Sequence, residues 1–312
     1  MTTSAVMNSP PGVLLGDQEP RICSLPLFDA DRSGANAVLL AAAAGLDLDP
    51  WQRFVLEAGL RRRGGKWAAF EVALIVARQN GKGAILEALE LAALFLFPDV
   101  RLILHSAHEF KTAAEAFLRI RHLNEGSPEF SSRVARIRTT TGAEAIELLD
   151  GTRLRFVARS SGSGRGFTSD LVILDEAYKL GDQEMAALLP TLTARPDPQV
   201  WYTSTAGGPD SVQLGRVRKR ALAGGDPSLA FLEWSAVETD DPADPRVWAR
   251  ANPGLGIRIP AEYVEKERLA LGAEVFARER LSVGDYPVDD AGTWSAISSD
   301  AWGACAAPGA RL

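Results

Sequence analysis

An apolar run at residues 68–77 leads directly into a glycine-containing turn and then into a second apolar stretch. The run predicts a strand that is buried on both faces, as in a mainly parallel sheet. Residues 84–97 predict a buried helix, since they are apolar apart from Glu87 and Glu90 and fall short of the ~20 residues that span a bilayer. A strand, a turn and a helix in this order predict an α/β unit.

The rest of the chain continues this alternation. Further strands are predicted at residues 101–107, 171–174 and 200–204, with two or three short strands within residues 134–158. Further helices are predicted at residues 51–60, 109–123 and 183–189. Strands that alternate with helices predict an α/β fold with a mainly parallel sheet flanked by helices.

Changes in composition divide the chain into an arm, a core and a smaller helical region. Residues 1–46 are rich in proline and predict an N-terminal arm that carries one short helix. Residues 47–225 hold the predicted α/β core. Turn-rich sequence followed by two helical patterns, at residues 260–271 and 274–283, predicts a lid or linker subdomain over residues 226–300.

Charge and cysteine usage exclude some classes of protein. The net charge is −6, from 34 basic and 40 acidic residues, which disfavours a protein that coats DNA but leaves room for one basic patch. Cys23 and Cys305 form no CxxC pair, so no zinc site or disulfide framework is predicted, and the N-terminus has no signal-peptide pattern. Basic runs at residues 61–63 and 216–220 are interpreted as solvated faces, with contact to a DNA backbone as the alternative.

The turn after the first buried strand has the composition of a phosphate-binding loop. Backbone N–H groups at a helix N-terminus attract anions, Gly81 permits close approach of the backbone, and Lys82 can reach the β and γ phosphates. The match to G-x-x-x-x-G-K-[ST] is incomplete, because the first glycine is missing and Gly83 replaces the hydroxyl residue that binds magnesium. Taken alone, the turn favours the alternative of a surface turn, because short Gly-Lys turns are common.

The strand at residues 171–174 ends in Asp175 and Glu176. Ligands of open α/β sheets collect at the carboxyl ends of the strands, so these acids are predicted to face the phosphate loop. There Asp175 would hold Mg²⁺ and Glu176 would polarise the attacking water. The alternative is a pair of solvated carboxylates at a strand end, but the loop earlier in the chain favours the magnesium site.

Four segments occur in the order Gln52, ARQNGKG, LVILDEA and TSTAG. This order resembles the motor of the phage terminase large subunit over roughly residues 48–290. The resemblance implies an additional-strand P-loop NTPase that binds ATP and Mg²⁺ and translocates double-stranded DNA into a procapsid. It also implies a small terminase subunit and a portal protein as partners, a homo-oligomeric ring, action in the host cytoplasm and no membrane contact.

The resemblance also implies a role for each matching residue. Gln52 would contact adenine, Thr203, Ser204 and Thr205 would couple hydrolysis to movement, and Arg165 would act as an arginine finger on a neighbouring subunit. The phosphate-loop residues would be Arg78, Gln79, Asn80, Gly81, Lys82 and Gly83, with Lys82 also catalytic. The alternatives are a helix-start glutamine, ordinary strand-end capping and a surface arginine.

Terminase large subunits normally continue into a nuclease domain with clustered acids. No acidic cluster follows Trp302, so residues 301–312 are predicted to begin a linker and no nuclease activity is expected from this chain. Two other functions stay open at this point. One is a helicase-like ATPase, and the other is a non-catalytic scaffold with a degenerate nucleotide site, for which Gly83 is the best support.

Overall fold

The computed structural model describes residues 14–159 and 168–287 as a nine-stranded sheet with helices on both faces and a separate two-stranded hairpin. The strands are β1 (Ile22–Ser24), β2 (Arg62–Arg63), β3 (Lys66–Trp67), β4 (Glu71–Ile75), β5 (Leu102–Ala107), β6 (Val134–Arg138), β7 (Ala145–Leu148), β8 (Arg153–Ala158), β9 (Leu171–Asp175), β10 (Gln199–Ser204) and β11 (Leu229–Glu233). The helices are α1 (Ser33–Ala43), α2 (Pro50–Gly59), α3 (Lys82–Phe95), α4 (Phe110–Gly126), α5 (Pro128–Arg133), α6 (Asp182–Leu192), α7 (Val212–Ala223), α8 (Pro245–Ala251), α9 (Ala261–Ala270) and α10 (Ala273–Leu281).

The order of strands across the sheet is β1-β11-β4-β10-β9-β5-β8-β7-β6. The six strands from β11 to β8 are parallel, while β1, β7 and β6 add antiparallel pairs at the two edges. All five residues of β4 are buried, as expected of a parallel strand that is covered on both faces. The predicted α/β fold with a mainly parallel sheet is therefore confirmed.

Strand β10 lies between β4, which precedes the glycine turn, and β9, which ends in the two acids. The registers align Ile75 of β4 with Ser204 of β10, and Asp175 of β9 with Thr203 of β10. Three segments that are far apart in sequence thus end at one edge of the sheet. This alignment creates the site described below.

Two apolar cores hold the helices on the sheet. One contains side chains of α1, α2, α3 and α4, and the other contains side chains of α6 and α7 on the opposite face. Helix α3 carries two acids into the first core, and both are paired. Glu90 shares a hydrogen bond of 2.5 Å with Nδ1 of His105 on β5, and Glu87 accepts from Arg119 of α4 at 2.6 Å. Burial raises the pKa of Glu90.

Helices α8, α9 and α10 share a third apolar cluster of their own, centred on Trp248, Val264 and Phe276. The sheet also takes in β1 and β11, which come from the segments predicted as an arm and a lid. The predicted domain boundaries stay predictions, and the sheet extends past residue 225 to Glu233. Within the described residues, no helix is long and apolar enough to cross a membrane.

Candidate nucleotide site

A cleft of about 370 Å³ opens at the carboxyl ends of β4, β9 and β10. The residues that line it come from the glycine turn, the acidic strand end, the end of β10 and helix α4. They are Arg78, Gln79, Gly81, Lys82, Gly83, Arg119, Asp175, Glu176, Tyr178, Ser204 and Thr205. The structure therefore brings both predicted motifs, the loop and the acids, to one cavity.

The loop between β4 and α3 has the backbone that an anion-binding turn requires. Gln79 and Gly81 both have positive φ, at 63° and 97°. A side chain at Gly81 would be strained, and its Cβ would lie 2.7 Å from the side-chain nitrogen of Gln52. Helix α3 starts at Lys82, so its free N–H groups lie at the loop.

The ammonium group of Lys82 is turned into the protein. It donates to the carbonyl oxygens of Val76 at 3.1 Å and Ala77 at 3.3 Å. Burial lowers the pKa of Lys82 to about 8, opposed in part by the charge of Asp175. An ammonium with so little solvation gains strongly from an added anion.

Asn80 fastens the loop to the end of α8. Its side-chain nitrogen donates to the carbonyl oxygen of Ala77 at 3.1 Å and to Oδ1 of Asn252 at 3.0 Å, and its own Oδ1 accepts from the N–H of Gly254 at 2.9 Å. Asn252 in turn donates to the carbonyl oxygens of Trp248 and Arg280. Asn80 and Asn252 are fully buried, so this polar bridge is shielded from water.

Arg78 links the same loop to α10. Its Nε forms an ion pair with Oε2 of Glu279 at 2.6 Å, and its carbonyl oxygen accepts from Arg280 at 3.2 Å. The side chain of Arg78 is 56% exposed, so the guanidinium borders the cleft and is not buried against α10. The conformation of the loop therefore depends on residues about two hundred positions away.

Gln52 supports the loop from the other side. Its Nε2 donates to the carbonyl oxygen of Gly81 at 2.8 Å, and its Oε1 accepts from the N–H of Asp49 at 2.7 Å. The residue is fully buried at the start of α2. Its predicted contact with adenine stays a prediction, while its observed partners are the helix start and the loop.

The acidic wall of the cleft is ordered by neighbouring strands. Oδ1 of Asp175 accepts from the hydroxyl of Thr203 at 2.7 Å and from the N–H of Glu176 at 3.0 Å. Within the described residues there is no cluster of three or more metal-binding side chains. The carboxylates of Asp175 and Glu176 at this cleft suit Mg²⁺, which binds through one or two carboxylates, substrate phosphates and water.

Glu176 adopts a left-handed backbone conformation, with φ 54° and ψ 49°. Such a conformation is costly for a side chain of this size unless its surroundings hold it. Arg159, at the end of β8, donates to the carbonyl oxygens of Asp175 at 2.6 Å, Ser106 at 3.0 Å and Glu176 at 3.4 Å. The guanidinium therefore holds the turn that aims the second acid.

The end of β10 contacts the turn that follows the acids. The hydroxyl of Ser204 accepts from the N–H of Tyr178 at 3.0 Å, and Ser211 donates to the carbonyl oxygen of Tyr178 at 2.7 Å. Thr205 lines the cleft. Of the three residues predicted to couple hydrolysis to movement, Thr203 and Ser204 thus contact the acidic segment directly.

Arg119 lines the cleft beside Gly83. If Gly83 carried a side chain, its Cβ would lie 3.4 Å from a terminal nitrogen of Arg119. The Nε of Arg119 donates to Glu87. The position at which a serine or threonine is usual therefore faces a guanidinium. Sequence analysis missed Arg119, because one arginine on an amphipathic helix looks like any solvated charge.

Asn252, Glu279 and Arg159 were missed as well. The sequence offers no spacing that connects the first two with the loop, because the contacts form only after the chain folds. Arg159 lies just before the acidic strand and resembles an ordinary strand-end arginine. Arg165, the predicted arginine finger, lies outside the described residues.

The two basic runs occupy different environments. Residues 216–220 lie on α7, where Arg218 pairs with Glu233 and Arg220 pairs with Glu71. In the β2–β3 hairpin, Arg62 lies over the ring of Trp67 and pairs with Asp197, which precedes β10. The interpretation of residues 216–220 as a helix face agrees with α7, whereas residues 61–63 are in a hairpin.

Residues 50–221, more than half of the chain, match the family described as "Terminase large subunit, ATPase domain". The sequence matches none of the curated proteins. The HK97 bacteriophage large terminase aligns with a TM-score of 0.71 at 19% identity, over 80% of this chain and 55% of that one. A mutant ATPase domain of the Thermus phage P74-26 large terminase gives a TM-score of 0.52 at 17% identity, over 69% and 89%.

These two structures share the fold, and this chain spans about half the length of the HK97 protein. The predicted P-loop NTPase architecture is confirmed, with β10 between the loop strand and the acidic strand. The match to the family covers the loop, the acids and the end of β10. The chain belongs to the family of terminase large-subunit ATPase domains.

Proposed function

We propose that this chain is the ATP-hydrolysing motor of a phage DNA-packaging terminase, which moves double-stranded DNA into a procapsid. One observation carries the proposal. The buried ammonium of Lys82 and the acid pair of Asp175 and Glu176 line a single cleft at the carboxyl edge of the sheet. Phosphoryl transfer to water requires a cation for the phosphates, one acid to hold Mg²⁺ and one acid to orient the attacking water.

The phosphate loop binds and orients the nucleotide. The N–H groups at the start of α3, with Gln79 and Gly81 in left-handed conformations, would surround the phosphates. The ammonium of Lys82 would move from the carbonyl oxygens of Val76 and Ala77 to the phosphate oxygens. Arg78 borders the same cleft and would add a second positive charge.

The acidic wall would carry out the hydrolysis. Asp175, ordered by Thr203, would hold Mg²⁺ directly or through water. When bound, Mg²⁺ would neutralise charge that develops on the phosphate oxygens. Glu176 would orient the attacking water and accept its proton, with its position fixed by the hydrogen bonds from Arg159 to the backbone.

Loss of the γ-phosphate would change the conformation at the end of β10 and in the lid. Ser204 contacts the turn after the acids, and Asn80 connects the phosphate loop to α8. We propose that the helical region, predicted over residues 226–300, moves against the core in response. The hydrogen bonds of Asn252 would be the physical connection between the two.

We further propose that subunits act as a ring in the host cytoplasm, on the portal protein and with the small terminase subunit. In such a ring Arg165 of one subunit would approach the nucleotide of the next. The adenine contact of Gln52 belongs to this proposal too, and requires that its amide keep one hydrogen-bonding group for the base.

The test is phosphate release by the purified chain at rising protein concentration, with and without blunt duplex DNA. The proposal predicts turnover that increases with protein concentration and with DNA. ATP binding without turnover under all these conditions would contradict it and favour the scaffold. Separation of strands in a forked duplex would favour a helicase-like ATPase.

A further inference from the structure

The three outer strands of the sheet present two very different faces. On one face, the registers place Arg136 of β6 and Arg153 of β8 on either side of Glu147 of β7. Two residues further along, they place Arg138 and Arg155 on either side of Ala145. Cross-strand partners point to the same side, so these six residues share one side of the sheet. The side is called here the arginine face, and Arg136, Arg138 and Arg153 are its exposed members.

The alternate residues of the same strands explain why the arginines point outward. Ile137, Ile146 and Leu154 form the row between the two arginine rows, and they pack in the core beneath α4 and α5. A period of two therefore fixes the opposite direction for the arginines. A slip of one residue would bury four charges, so the register is strongly determined.

The arginine face is basic on a chain that is acidic as a whole. It has four arginines and one acid, Glu147, whose partner is Arg138 at 2.8 Å, whereas the whole chain has a net charge of −6. Burial, followed by the charges of Arg153 and Arg138, lowers the pKa of Arg155. Glu147 lies between the arginines and acts in the opposite direction.

We propose that the arginine face binds the phosphate backbone of double-stranded DNA. The inference rests on the proposed packaging function and names the surface of the motor that the DNA contacts. Arginine forks pair with phosphate oxygens, and backbone contact needs charge without sequence-specific groups. Between the arginines lie Glu147 and the buried Ala145, so the face offers no large apolar side chain of the kind that the centre of a protein interface would need.

The other basic segments fit this role less well. Arg218 and Arg220 pair with the buried acids Glu233 and Glu71, so their charges are already neutralised. Arg62 pairs with Asp197. Within residues 14–159 and 168–287, Arg136 and Arg153 form no ion pair, and the same holds for Arg63 and Lys219. Arg136 and Arg153 differ from those two in that the register groups them with two more arginines on one side of the sheet. The arginine face thus keeps charge available for an external polyanion.

The test is binding of a fluorescent blunt duplex to the whole chain over a series of salt concentrations. The double variant Arg136→Ala with Arg153→Ala should weaken binding at low salt. It should also reduce the slope of log K against log salt by about 2, because each phosphate contact contributes ~0.9. The matched control is Arg63→Ala with Lys219→Ala, which removes the same charge from two exposed sites in the other basic runs.

ATP binding by each variant shows that the fold and the nucleotide site are intact. An unchanged slope in the arginine-face variant, or an equal loss in the control, would overturn the proposal and leave the ATPase assignment standing. Normal DNA binding with loss of binding to an acidic packaging protein would also overturn it, and would make the face a protein interface. Absence of ATP turnover by the unmodified chain would instead contradict the proposed function.

Discussion

The two walls of the nucleotide cleft are held in place by different means. The phosphate loop depends on Gln52 on one side and on Asn252, Glu279 and Arg280 on the other. These residues lie far away in sequence and outside the central strands. The acidic wall is fixed by the sheet itself, through Thr203 on the adjacent strand and through Arg159, which follows β8.

This difference assigns separate tasks to the two walls. A rigid acidic wall would keep Glu176, the proposed water-activating group, in place while the rest of the site changes. The loop is held by residues at the end of α8 and on α10, in the region proposed as a lid. It would therefore bind phosphates tightly only when that region is correctly positioned. Variants in the lid should therefore change affinity, and variants in the acidic wall should change turnover.

The largest effect on ATP turnover is expected from Arg165. This residue lies six positions after Arg159, which holds the acidic wall in place. Arg165→Ala should remove the rise of turnover with protein concentration, since an arginine finger is worth ~10³–10⁵ in rate. ATP affinity should change little, because the residue acts mainly on the transition state. Phosphate release at several protein concentrations measures this.

Mixing shows whether Arg165 acts between subunits. Arg165→Ala chains mixed with Glu176→Gln chains should recover activity, since each supplies the group that the other lacks. Absence of recovery in mixtures shown to co-assemble would place Arg165 in its own subunit's site or outside catalysis.

The next largest effect is expected at the bridge between loop and lid. Asn252→Ala removes the hydrogen bonds to Asn80, Trp248 and Arg280, and should weaken ATP binding by about tenfold, or ~1.4 kcal/mol. It should also lower the free energy of unfolding by ~1–3 kcal/mol. Calorimetric titration with ATP and chemical denaturation measure the two changes.

The matched control is Asn124→Ala, which removes a buried asparagine whose side chain donates within α4, away from the loop. It should lose stability without losing ATP affinity. If both variants weakened ATP binding equally, the effect would come from general destabilisation and the bridge would have no special role.

A smaller effect is expected from Arg119. Arg119→Ala should weaken ATP binding about threefold to tenfold, because a partly exposed charge contributes only ~1 kcal/mol. Arg121→Ala removes a neighbouring arginine that pairs with Glu125 on the exposed side of α4, and serves as the control. Equal ATP affinity in the two variants would show that Arg119 does not contribute to nucleotide binding.

The smallest effect is a pH dependence that originates in Lys82. The groups that face its ammonium are Asp175, Glu176, Glu279 and Arg78, and burial dominates in lowering its pKa to about 8. Bound phosphate would raise that pKa, so the complex holds more protons and affinity falls as pH rises through 8. At pH 8, Lys82 is neutral in about half of the free molecules, so ATP should bind about twofold more weakly than at pH 7 or below. Lys82→Arg stays charged and should not show this dependence, so identical pH profiles would exclude Lys82 as the titrating group.

The sequence predicted the sheet and the position of the loop well, because long apolar runs, glycines and strand-end acids are local signals. It missed β1, which has three residues, and β11, which has five residues but no flanking motif. The contact of Asn252 with Asn80 could not be predicted, since asparagine in a turn is common and its partner lies far along the chain. Arg119 was missed because its partner, Glu87, lies on a different helix.

The most direct test of the central claim measures ATP affinity and turnover on the same preparations of two variants. Glu176→Gln should bind ATP as the parent does and lose turnover by ~10²–10⁴, the contribution of a general base. Lys82→Ala should lose affinity as well as turnover. Exposed Glu238→Gln is the control for the charge change. Near-parental turnover in Glu176→Gln, or unchanged ATP affinity in Lys82→Ala, would contradict the assignment of the two walls.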